Sequence, residues 1–423
     1  MKTRFFSGLG PVVCLVATLL LSGCSGRQPS YSFDRMISEE VLNNYLDRSV
    51  TMAGLLSEDP FGMDKRYLHK EADLEFIRRS GVKFIGRAIG CWGHEDYFNE
   101  RQWLEDAAML AGKIHAIDPD IILQAAVFEA VYKEGFNRIH IPEWTFVALG
   151  LEPEDRNFDF DRLQFPDDGR FLDLWGPGSC APDIRQTETQ LWYMYLIGTY
   201  VRLGVESFHL GQTMVTGFKD EGWRVYDAFL SKARAYATPL SRRHYILFDS
   251  HAGPKGMVTE DGRSLIDFNA YPLRIKEVKD NPEHGILEVG WLDAIYCKSP
   301  GGITPSGWHC RSLPYLVEFD NFGITDHPGE AHGDHCPWGY DDISWFYKQP
   351  LEYKKEFLRY AWDWLKKTDP AGHLQMPAAR GVTLPPPYPP SFVCRAMAPS
   401  GDIPYGMDIE GTILELWNIK RPK

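Results

Sequence analysis

The 423 residues contain no CxxC pair, no GxxxxGK(S/T), no strand-linked GxGxxG and no GxSxG. These absences remove zinc ribbons, thioredoxin-like redox centres, phosphate-cradling loops, dinucleotide folds and the serine-hydrolase elbow. Positive charge is scarce as well: 45 Lys and Arg stand against 58 Asp and Glu, a formal net charge of −13. Nucleic acid, a polyanion, is therefore not an expected partner. Beyond the N-terminal segment no apolar run approaches the roughly 20 residues that a membrane-crossing helix needs. Cysteine is sparse and scattered. With Cys14 and Cys24 set aside, Cys91, Cys180, Cys297, Cys310, Cys336 and Cys394 could pair in an oxidising compartment, but a chain of this size does not need them to fold. No internal repeat is visible.

What is present is an ordinary globular composition, 44% hydrophobic, with 13 Trp, 20 Tyr and 24 Phe. Many of these rings fall near predicted loops, where they either fill a large core or offer flat apolar faces to a ligand. Lys2 and Arg4 precede an apolar run from Pro11 to Leu21 and then Ser22-Gly23-Cys24, the layout of an export signal over 1–23. The quartet Leu21-Ser22-Gly23-Cys24 resembles the lipobox of bacterial lipoproteins. That resemblance implies lipidation of Cys24 and a soluble body tethered to a membrane by the lipid, in the cell envelope and on the outer membrane of a Gram-negative bacterium. Losing 1–23 moves the formal charge from −13 to −15, because two of the 45 Lys and Arg go and none of the 58 Asp and Glu.

A tether and N-terminal helix are expected over 24–48, the helix itself at 39–46, with a first strand at 50–55. Leu74 and Ile77 fall at helical spacing before a stop at Gly81, and a strand follows over 82–88. Trp103, Ala107, Leu110 and Ile114 mark the next helix and 121–129 the next strand. Residues 130–186 interrupt the rhythm with a long insertion in which Pro142-Glu143-Trp144 opens a short helix. Thr187 to Gln190 reads as a capping box heading a helix that ends at Gly204. Strands at 205–212 and 245–251 flank a helix over 222–237. A helix near 271–279 with Pro272 in its first turn, strands at 286–293 and 315–320, a helix over 351–367 and a strand at 373–378 complete the series. Eight strands, each followed by a helix or a long loop, predict an α/β fold: a (β/α)8 TIM-type barrel over 49–380 with enlarged βα loops, an open sheet being the other arrangement. Residues 381–423 read as a C-terminal extension packed on the barrel, with 413–417 supplying a strand.

In such a barrel the working residues sit at the C-terminal strand ends. The stretch from Leu313 to Gly323 is an apolar strand ending in acid, and a period of two puts Glu318 and Asp320 on one face. The same period aligns Leu123, Ala125, Val127 and Glu129, again an apolar face ending in acid. Hydrolysis of a glycosidic bond needs two carboxyl groups across the bond, one to protonate the leaving oxygen and one to attack the sugar or activate water. Glu129 opposite Glu318 meets that need, with Asp249 and Asp320 in reserve. Arg87, Trp92, His209, Gln212, His251, Trp291, Asp293 and Gln375 are the candidate substrate-binding residues. Each acid taken alone is as readily a salt-bridge or loop-capping residue, so the argument rests on their spread over several strand ends. No metal or other cofactor is expected. His327, His332 and His335, with Asp326 and Glu330, crowd a turn-rich loop whose spacing fits no zinc motif, and His209 and His251 lie on different strands rather than as a close pair.

Through Val127-Phe128-Glu129, Val317-Glu318-Phe319-Asp320 and the lipoprotein signal, the chain resembles the secreted barrel-type glycoside hydrolases over about 49–380. The resemblance implies a cell-envelope enzyme acting on a poly- or oligosaccharide. In the best-known clan of those enzymes the acid/base Glu ends strand four and the nucleophile Glu ends strand seven. Glu318 fits strand seven, whereas strand four ends in His209-Leu210-Gly211-Gln212, with no Glu at its tip. A non-catalytic carbohydrate-binding lipoprotein and a metal-dependent hydrolase on the same barrel are the competing readings.

Overall fold

The computed structural model describes residues 29–418 except 58–69, 279, 291–298, 322–340, 385 and 390. Eight parallel strands close into a barrel: β1 (Ser49–Met52), β2 (Phe84–Ile89), β3 (Ile122–Ala126), β4 (Ser207–His209), β5 (Leu247–Ser250), β6 (Phe268–Pro272), β7 (Tyr315–Glu318) and β8 (Gly372–Val382). Closure is made by β1 on β8, with Val50 opposite Met376, so no edge of the parallel sheet is left unpaired. An antiparallel strand, β9 (Phe392–Arg395), continues beside the upper half of β8.

Six helices serve the barrel: α1 (Glu39–Leu46), α2 (Lys70–Ser80), α3 (Arg101–Ile117), α4 (Thr187–Arg202), α5 (Arg224–Ala237) and α6 (Leu351–Thr368). On α3 the buried residues are Trp103, Ala107, Leu110, Ala111 and Ile114, a stripe at spacings of three and four that faces the sheet. Each large apolar side chain buried in this way contributes about 1.5–3 kcal/mol. No helix among the described residues is long and apolar enough to cross a membrane.

Alternation along the strands sorts the barrel interior into layers. Phe84, Ile122, Leu247, Phe268 and Leu316 form a lower apolar layer, and Val41, Leu42, Tyr45 and Leu46 of α1 pack against it. The N-terminal helix is thus the floor of the barrel; its cap, Ser38, accepts from the Val41 N–H. Two residues further along four of these strands stand Gly86, Gln124, Asp249 and Glu318, so apolar filling gives way to polar groups toward the C-terminal ends.

Five expectations are corrected. The sixth strand is Phe268–Pro272, not 286–293, and Pro272 ends a strand where a helix start was expected. It is held by parallel pairing on both sides, Tyr271 opposite Val317 and Asn269 opposite Ser250, so partners distant in sequence outweigh the local Asn and Pro. The 286–293 stretch instead begins at the end of an antiparallel ribbon of Lys276–Val278 and Asn281–Ile286. Helix α4 is capped by Gln186, whose side chain makes no capping bond, so the Thr187 box does not form. Residues 413–416 fall on a helix, α7 (Glu410–Leu416), with Trp417 at its C-cap and Thr412, Ile413 and Leu414 buried. Finally, β8 runs to Val382, past the expected strand end at 378.

Candidate active site

Glu318, the last residue of β7, is 1% exposed. Arg87 and Glu318 form an ion pair through Arg87 Nη2 and Glu318 Oε1. His251 Nε2 lies 3.4 Å from the same oxygen, and Arg380 Nη1 lies 3.5 Å from Oε2. Burial alone would raise this carboxyl's pKa, but the Arg87 charge, the His251 hydrogen bond and the Arg380 charge outweigh it and hold Glu318 well below the usual carboxylate range. Glu318 is therefore ionised. Arg380 also donates to Asp320 Oδ1 at 2.9 Å and to Asn321 Oδ1 at 3.0 Å, so the two acids expected to share a face share a guanidinium.

Arg87 is the hub. It follows Gly86, where a Cβ would sit 2.3 Å from Gln375 Nε2, and it takes a left-handed backbone conformation at φ 58°. A side chain other than glycine adopts that region at a cost, commonly where function demands a particular aim. Its N–H donates to Gln124 Oε1 at 3.1 Å. Burial opposes its charge, yet the carboxylates of Glu318, Asp320, Asp249 and Glu129 together keep its pKa raised. All four acids proposed from sequence thus act on one guanidinium.

Asp249 sits on β5 between Gln124, which donates to Oδ1 at 2.7 Å, and His209, whose Nδ1 is 2.6 Å from Oδ2. Burial pushes Asp249 well above its ordinary value against the pull of Arg87, and burial followed by the Arg87 and His251 charges pushes His209 well below its own. Both shifts run toward the uncharged forms, and His209 Nε2 has no partner among the described residues. Two carboxyl groups in one pocket are thereby pushed in opposite directions, Glu318 toward its charged form and Asp249 toward its neutral one.

Glu129 lies beyond the end of β3 and is 4% exposed. Gln212 Nε2 donates to its Oε1 at 2.9 Å, while Oε2 has no partner among the described residues. Gly211, at φ +63°, makes room for it: a Cβ there would come within 1.8 Å of Oε2.

Arg87, Glu129, His209, Gln212, Asp249, His251, Glu318, Asp320 and Gln375 therefore assemble at the C-terminal end of the barrel, and Trp92 stands beside them with its ring 5.1 Å from that of Phe128. Trp291 and Asp293 lie outside the described residues. His327, His332 and His335, with Asp326 and Glu330, are also outside the described residues. Two groups were missed. Gln124 has the inward parity on β3, whereas Leu123, Ala125 and Val127, the face taken to lead to Glu129, belong to the apolar layer shared with the helices; Glu129 enters the site only because the chain leaves the strand after Ala126. Arg380 was missed because β8 was ended too early, although a lone Arg following Pro377-Ala378-Ala379 at a strand end was the available signal. The two histidines expected to stand apart have ring centroids only 4.8 Å from each other. His251, Glu318 and Asp320 offer ligand atoms within 4.8 Å of one another, the spacing of a cation site, but Arg87 and Arg380 already neutralise both carboxylates.

No family model and no curated protein matches the chain. Among solved structures it is similar to a noncanonic maltogenic alpha-amylase from Thermotoga neapolitana, at 13% identity and a TM-score of 0.32, over 53% of this chain and 50% of the other. It is also similar to an alpha-galactosidase from Thermus thermophilus, at 14% identity and a TM-score of 0.36, over 78% of this chain and 63% of the other. A debranching enzyme from Nostoc punctiforme follows at 13% identity and a TM-score of 0.28, over 49% of this chain and 48% of the other. The chain thus spans about half to under two thirds of the length of these proteins. The barrel assignment stands on this chain's own strand order.

Proposed function

We propose that the chain is a glycoside hydrolase of the cell envelope that cleaves a poly- or oligosaccharide with two carboxyl groups. Glu318 is the ionised carboxylate that attacks the sugar or activates water, and Glu129 is the proton donor to the leaving oxygen. The observation that carries the reading is the contrast between them. Glu318 is saturated by Arg87, His251 and Arg380 and so stays charged, while Glu129 keeps a buried oxygen with no partner among the described residues. A carboxylate fully engaged by cations and a second carboxyl group with an oxygen left open are the two groups that glycoside cleavage places across the bond. Lipidation at Cys24 would hold the enzyme at the membrane facing its substrate.

A metal-dependent hydrolase is the second reading, favoured by the convergence of His251, Glu318 and Asp320. Incubating the protein with a panel of plant, algal and host glycans, with product analysis, tests the first reading. Released reducing sugar that is abolished in Glu318→Gln supports it, and binding without product from any glycan removes it.

A further inference from the structure

Beside the carboxylates stands an aromatic wall built from three segments. The loop after β2 gives Trp92, the segment after β3 gives Phe128, and the 130–186 insertion gives Tyr132 and Trp175. Trp92 meets Phe128 edge-on at 5.1 Å and Trp175 edge-on at 5.5 Å between ring centroids. Hydrogen bonds to the Trp175 backbone tie the wall together: the Tyr132 hydroxyl donates to the Trp175 carbonyl at 2.8 Å, and the Trp175 backbone N–H donates to Ser179 Oγ at 3.1 Å. Below it, Glu95 Oε1 accepts the Tyr132 N–H at 3.1 Å. Gly93, at φ +76°, lies against the Tyr132 ring, which a Cβ there would approach to 3.4 Å.

Trp92, Tyr132 and Trp175 are nonetheless only half-buried. Rings packed edge to edge, anchored through the backbone and still open to solvent, offer a ligand π surface, which suits a partner with a flat C–H face and polar edges. A pyranose ring has that shape. The wall is also continuous with the acids, since the Arg87 guanidinium carbon is 5.8 Å from the Phe128 centroid and Phe128 precedes Glu129. Its own loops carry Glu95, Asp96 and Asp173, and the cationic charge of Arg87 and Arg380 is already matched by Glu318 and Asp320. The electrostatics therefore favour an uncharged sugar over a uronate or a sulfated one.

Resting on the glycoside hydrolase reading, we infer that Trp92, Tyr132 and Trp175 form a stacking subsite for a neutral pyranose next to the cleaved bond. The substrate is then a chain of at least two neutral sugar units.

The test uses the full-length protein with maltohexaose, cellohexaose, xylohexaose and mannohexaose, and hexagalacturonate as the acidic control. Binding is read by calorimetry, independently of turnover. Kinetics on the bound hexasaccharide are compared with those on the aryl glycoside of its monosaccharide. The parent should bind a neutral hexasaccharide and not the uronate; Trp175→Ala should weaken that binding about tenfold, and Trp175→Phe should restore most of it. The hexasaccharide-to-aryl-glycoside ratio of kcat/KM should fall about tenfold in Trp175→Ala. No binding to any neutral member, tighter binding of the uronate, an unchanged ratio, or a variant whose melting temperature collapses while Trp175→Phe also fails to bind would overturn the subsite. Hexasaccharide binding that depends on Trp175 without any turnover would keep the subsite and remove the hydrolase reading instead.

Discussion

Replacing Glu95 by Gln should flatten part of the pH dependence of stability. The carboxyl is 1% exposed, and burial raises its pKa from 4.5 to about 7 against the backbone N–H groups that favour its ionised form. Asp96 on its own turn, and Cys91 and Cys180 from the packed segments, are its titratable neighbours. Between pH 4.5 and 7 the folded protein holds a proton here that the unfolded chain has released. Stability from this group is therefore complete below about pH 4.5 and is lost as pH rises through about 7. At about 1.4 kcal/mol per pH unit, that gap amounts to about 3 kcal/mol. Asp341 and Asp342, raised to about 6 and about 7, tilt the parent in the same direction, so the informative quantity is the difference between variant and parent. Urea titrations at pH 4.5 and pH 8 should show Glu95→Gln gaining about 3 kcal/mol on the parent between the two pH values, whatever constant cost the amide brings. A difference that stays level across that range would mean that Glu95 is ionised in the folded state, and the account of its burial would fail.

Three shorter tests follow. Gly211→Ala puts a methyl into the space of Glu129 Oε2 and strains a left-handed residue, so both stability and turnover should fall, the strain alone costing about 1–2 kcal/mol; an active, fully stable variant would show that Glu129 does not need this position. Dialysis against a strong chelator should leave activity intact, since two guanidiniums already hold the carboxylates of the His251 cluster, and loss restored by one divalent metal would promote the metal-dependent reading. Cys24→Ala should appear in the soluble or unprocessed fraction after cell fractionation, and a variant still partitioning with membranes would sink the lipid anchor.

The barrel was legible because its strands are short apolar runs and its helices, α3 above all, carry apolar residues at spacings of three and four. Strand β6 was not, since Phe268-Asn269-Ala270-Tyr271-Pro272 has weak local preference and exists by pairing with β5 and β7. The acids at strand ends could be read, because a carboxylate after an apolar run is conspicuous. What they contact could not: Arg380 lies 62 residues from Glu318, and Gln124 lies 125 from Asp249. Side-chain parity was legible only where the strand end was known. An end placed at Glu129 rather than Ala126 turned the inward face of β3 outward and hid Gln124.

Glu318 is proposed to do chemistry and not only to anchor Arg87 and Arg380 as a buried ion-pair partner. Removing its charge also leaves two guanidiniums short of a partner, at a cost of about 3–5 kcal/mol, so a loss of stability alone decides nothing. The decisive measurement is kcat of Glu318→Gln on the glycan that the parent cleaves, taken well below the variant's own melting temperature, with calorimetry confirming that the glycan still binds. The account predicts near-parental affinity with kcat lowered by roughly three orders of magnitude or more, the signature of an interaction made only in the transition state. Parental kcat in the folded variant would remove Glu318 from the mechanism and leave it an ion-pair partner.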